Sequence, residues 1–140
     1  MTFKEKSAWV MCVALIAAGV FYAWSVLGIW QAAGEVPPPN VLGLAVGVII
    51  IIAIAIFGHA VAALGNPMDA EAPEDERDRL VVWRAGNLGG LLMGALSLCA
   101  LFSFAVNGDG NLLFHSLIGA LTLSQLAEYA LTILYYRRGV

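Results

Sequence analysis

The sequence predicts an all-α integral membrane protein, a four-helix bundle with both termini in the cytoplasm. Three observations carry that prediction. The 140 residues are 61% hydrophobic and only 12% charged, far from the half-apolar, quarter-charged balance of soluble domains. Four apolar stretches each reach the length of about 20 helical residues that a bilayer core requires. The seven Lys and Arg residues flank these stretches on one side only. A β-barrel strand would alternate apolar and polar side chains, whereas "VGVIIIIAIAIF" is apolar all round, so the spans are read as helices.

The first span covers residues 8–30. Its apolar run is longer than the roughly 7 to 15 residues of a secretory h-region, so it is expected to be retained. The second covers 41–64, after "QAAGEVPPPN", whose Pro37 to Pro39 run favours a stiff extended connection. A cytoplasmic loop, 65–84, leads to the third span, 85–106. Within this loop Pro73, Glu74, Asp75 and Glu76 have the pattern of a helix start, with proline in the first turn and carboxylates at the positive end of the dipole. Asp75 with Arg79, and Glu74 with Arg77, have the spacing of surface ion pairs. After the turn "NGDG", the fourth span runs over 112–136. The whole chain is read as a single transmembrane domain.

Topology follows from the cations. Lys4 and Lys6 precede the first span, Arg77, Arg79 and Arg84 precede the third, and Arg137 and Arg138 follow the fourth. The other two loops carry only Glu35 and Asp109. The positive-inside rule therefore puts both termini and the middle loop in the cytoplasm, as in a prokaryotic inner-membrane protein. Trp9, Trp83, Tyr135 and Tyr136 fall at that boundary and Trp30 at the other, where amphipathic rings anchor helices.

Lipid removes the hydrophobic drive for helix association, so small residues become the packing signal. Gly86, Gly90 and Gly94 recur every four residues in the third span, and Gly43 with Gly47 in the second. Contact inside one bundle is the default expectation, with a homo-oligomer through the third helix as the alternative.

Glu128 is the only acidic residue inside a span, and an ionised carboxylate there costs on the order of 3 kcal/mol. Ser124, Gln125, Thr132 and Tyr135 share its helical face, which should meet protein. His59 and Glu128 lie five and eight residues before the ends of parallel spans, an offset of roughly 5 Å in depth. Glu128, His59 and Asn87 are accordingly expected to form a polar cluster, either an interhelical hydrogen bond or a proton-exchanging pair.

The remaining features exclude chemistry more than they assign it. His59 and His115 lie near opposite ends of the spans, about 20 Å apart in depth, so a shared metal or haem is not expected. Cys12 and Cys99 have no disulfide or metal spacing and are expected to be buried. No nucleotide-binding, hydrolase or metalloprotease motif occurs in a suitable context, no cofactor is implied, and the acidic balance argues against nucleic acid.

At "PEDERDRLVVWRAGNLGG", with the opening "MTFKEKSAWVM", the chain resembles a group of small prokaryotic four-span membrane proteins of a family of unknown function, which carry a charged "DER" segment before the third helix. The resemblance implies the same topology and supplies no catalytic residues. Two functions stay open. One is a non-enzymatic membrane subunit or regulator binding a cytoplasmic protein through Asp75, Glu76, Arg77 and Arg79. The other is a small proton-linked transporter or channel using Glu128 and His59.

Overall fold

The computed structural model describes residues 2–65 and 75–139, which form four helices. These are α1 (Phe3–Ala33), α2 (Val41–Leu64), α3 (Glu76–Asn107) and α4 (Gly110–Arg138). All four are long and apolar enough to cross a membrane, which places the chain among multi-pass helical membrane proteins. Pro73, Glu74 and the proposed Glu74–Arg77 pair involve residues outside those described. The 31 residues of α1 and 32 of α3 run roughly 46 to 48 Å. A hydrocarbon core is about 30 Å thick, so both extend well past it.

Each helix starts on a short polar side chain that satisfies an orphan N–H of the first turn. The Thr2 hydroxyl accepts from the Glu5 N–H at 3.2 Å and Asn40 Oδ1 from Gly43 at 2.8 Å. Asp75 Oδ1 accepts from Asp78 at 2.7 Å, and Asp109 Oδ1 from Leu112 at 2.9 Å. Asp75 is thus the cap, and α3 begins one residue after it. Gly34 and Gly108 end α1 and α3 at φ 76° and 68°, a left-handed conformation that side chains disfavour.

The helix backbones pack in the order α2, α1, α4, α3, with no other close pair among the described residues, and α1 also reaches α3 through the Lys4–Asp78 side-chain pair. α1 and α4 are therefore the inner helices, and α2 and α3 are edge helices. At the α1–α4 interface Ala8, Cys12 and Ile133 form a small core, with Leu126 and Tyr129 against it. At the α1–α2 interface the missing side chain of Gly58 leaves room for Val10. At the α3–α4 interface Val81, Ala85 and Gly89 are buried at four-residue intervals.

This packing corrects the expected glycine contacts. The close approach is made by Gly89, where an added Cβ would lie 3.0 Å from Glu128 Cβ and 3.4 Å from the Ser124 carbonyl oxygen. Gly90 and Gly94 are exposed, with open space where a Cβ would stand, because they are turned away from α4. Gly86 borders Glu128 more loosely, at 3.6 Å. Gly43 accommodates its own helix cap, since a Cβ would sit 2.6 Å from Asn40 Nδ2, and Gly47 is buried but touches no neighbour within 4 Å of that position. Cys12 is buried, whereas Cys99 is exposed on a crevice between α3 and α4.

Candidate functional site

Contacts among the starts of α1 and α3 and the end of α4 collect basic and acidic groups at one end of the molecule. Arg137 Nε donates to Glu5 Oε1 at 3.1 Å, and its guanidinium lies 5.6 Å from the centre of the Trp9 ring. Lys4 Nζ pairs with Asp78 Oδ2 at 3.1 Å, Tyr136 donates to Asp78 Oδ1 at 2.7 Å, and Arg77 donates to the Tyr136 carbonyl at 3.2 Å. Two helix starts and one helix end are thereby tied together. The sequence conceals these pairs because their members are separated by many tens of residues.

Partial burial acts to raise the Asp78 carboxyl, but the Tyr136 hydroxyl and the Lys4 ammonium outweigh it and hold the group below the usual carboxylate range. A folded-state value below the unfolded one contributes stability above the unfolded value, near 3.9, and loses it as pH falls through the folded value. Thermal unfolding in detergent is expected to favour the native protein over Asp78→Asn by up to about 1 kcal/mol. That margin should stay constant from neutral pH to about 4 and shrink below it.

Glu128 is half-buried on α4 and points at α3, beside Gly86 and Gly89. Gln125 Nε2 donates to its Oε2 at 3.3 Å. Ser124 is 1% exposed and donates to the Leu121 carbonyl at 3.0 Å, with its hydroxyl 3.5 Å from the Met93 sulfur. Thr132 donates to the Glu128 carbonyl at 2.9 Å. The stripe therefore faces protein, and its hydroxyls are satisfied mostly by the helix's own backbone.

The expected cluster of Glu128, His59 and Asn87 does not form. α2 touches neither α3 nor α4, and His59 turns to α1 instead. Its Nδ1 contacts the Ala55 carbonyl at 2.6 Å and its Nε2 the Ser7 hydroxyl at 2.7 Å. A carbonyl only accepts, so Nδ1 carries a proton, and in the neutral imidazole Nε2 then accepts from the Ser7 hydroxyl. Asn87 is exposed on α3. The depth comparison placed His59 and Glu128 at similar levels, but α1 stands between their helices. The proton-linked reading loses its pair.

Sequence reading missed two polar contacts at interhelical surfaces. One is Ser7–His59; the other joins Tyr22 to His115 Nδ1 at 2.8 Å, with His115 Nε2 on the Pro37 carbonyl at 2.9 Å. Asn111 Nδ2 also reaches the Val36 carbonyl at 3.3 Å, so the proline connection is fastened to the start of α4. Tyr22, which with Ser25 supplies the polar groups within the first span, was the available signal. Nothing in spacing named its partner.

On the outer surface of α3, Glu76, Arg79, Leu80 and Trp83 line a groove of about 600 Å³. Neither Glu76 nor Arg79 makes an ion pair among the described residues, and Trp83 is 66% exposed. Asp75 and Arg77, by contrast, are occupied as helix cap and Tyr136 ligand. No group of three or more metal-ligating side chains occurs among the described residues. Compared with protein-family models, curated proteins and solved structures, the chain matches none of them.

Proposed function

We propose that the chain is a non-enzymatic membrane subunit or regulator of a prokaryotic inner membrane, oriented with its charged end in the cytoplasm, which binds another protein through the first turns of α3. The observation that supports this reading is the division of labour among charges at that end. Glu5, Lys4, Asp78, Arg77 and Arg137 bond within the bundle. Glu76 and Arg79 stand on an exposed groove with Leu80 and Trp83, combining opposite charges with the aromatic and apolar surface that anchors protein interfaces. The resemblance to the uncharacterised four-span family lies on the same segment.

Affinity purification from native membranes tests the proposal, comparing the unaltered chain with a Glu76→Lys, Arg79→Glu double variant. The exchange preserves net charge and removes no side-chain hydrogen bond or ion pair among the described residues, but it puts a cation in the first turn of α3, so thermal stability should fall by no more than about 1 kcal/mol. A partner retained by the first and reduced at least tenfold in the second is expected, as for loss of about 1.4 kcal/mol of binding. Identical partner lists, or none, would reject the reading.

A further inference from the structure

Between α1 and α4, away from the charged end, lies a crevice of about 450 Å³, within the size range of sites for small organic ligands. Gly19, Ala23, Trp30 and Gly119 contribute to its largely apolar wall. Tyr22 and His115 also line it, and they are the hydrogen-bonded pair described above.

The donor order in that pair is fixed from one end. His115 Nε2 meets the Pro37 carbonyl at 2.9 Å, and since a carbonyl has no proton to give, Nε2 carries the hydrogen. In the neutral imidazole the other nitrogen then accepts, and the Tyr22 hydroxyl supplies the proton across 2.8 Å. Tyr22 has spent its donor and keeps acceptor lone pairs on its oxygen. A second hydrogen bond at that oxygen requires a donor, and neither an acyl chain nor a ketone can supply one.

We propose that this crevice binds a lipid-soluble alcohol or phenol, its hydrocarbon part filling the apolar space and its O–H donating to the Tyr22 oxygen. The preference is for the hydroxyl form of such a molecule over its ether or carbonyl counterpart, because only the hydroxyl completes the chain of donors that ends on Pro37.

The test uses retinol and retinyl methyl ether as probes in phosphatidylcholine nanodiscs at a pH of about 8. Energy transfer from Trp30 to the polyene reports binding, in a background where Trp9, Trp24 and Trp83 are phenylalanine. Retinol should bind saturably and roughly five- to tenfold more tightly than its methyl ether, the value of about one intramembrane hydrogen bond. Tyr22→Phe should bind both probes alike, and Gly119→Leu, which places a side chain where nothing stands within 4 Å of the added Cβ, should weaken both. Equal binding of the two probes by the unsubstituted tyrosine protein would mean a site for hydrocarbon alone and would overturn the proposal. So would absence of saturable binding, or discrimination that survives in Tyr22→Phe.

Discussion

Replacing Gly89 by leucine is expected to force α3 away from α4 and cost about 1 to 3 kcal/mol, the usual range for overpacking. The wall it would meet includes backbone, the Ser124 carbonyl at 3.4 Å from the first added carbon, as well as Glu128 Cβ at 3.0 Å and Oε2 at 3.2 Å. A flexible side-chain tip could move aside, but a helical carbonyl cannot without displacing α4. The same replacement at Gly90 or Gly94 adds a side chain to open space and should change monomer stability by less than about 0.5 kcal/mol. Thermal denaturation of the three variants in one detergent checks the contrast. If Gly90→Leu proved as costly as Gly89→Leu, the packing face of α3 would have to be reassigned.

The second large effect concerns sidedness. With Cys12 and Cys99 replaced by alanine, a membrane-impermeant maleimide added to intact cells is expected to modify Pro38→Cys nearly completely and Glu76→Cys hardly at all. Permeabilisation should then expose the second site. Both positions are exposed, one in the connection between α1 and α2 and the other at the start of α3, and neither substitution removes a cation. The expectation rests on lysines and arginines being retained on the cytoplasmic side. Labelling of both cysteines from the same compartment would reject the four-crossing topology, and labelling of Glu76→Cys alone would invert it.

What could be read along the chain and what could not divide by range. The span 41–64 coincides with α2, and "NGDG" encloses the two-residue turn between α3 and α4. Hydropathy, capping and turn chemistry act over a few residues, so one stretch of sequence contains the whole cause. The site was harder. Glu128 stood out as a carboxylate among apolar residues, and its helical face could be inferred from 3.6-residue periodicity. Its neighbours on α3 could not, because the glycine repeat at 86, 90 and 94 was the more regular signal while the tight contact belongs to Ala85 and Gly89. A glycine at four-residue spacing permits close approach on its own face; which face meets the partner helix depends on how all the helices are rotated.

The amino-acid sequence by itself determined four apolar lengths, the tight turn before the fourth, and the placing of the cations before the first and third spans and after the fourth. Only the tertiary structure decided that α1 lies between α2 and α4, that His59 meets Ser7 rather than Glu128, and that His115 closes a donor chain from Tyr22 to Pro37. Lipid is as apolar as the helices it surrounds, so burial does not rank one helix arrangement above another. That choice falls to close fits and a few hydrogen bonds between residues far apart in the chain.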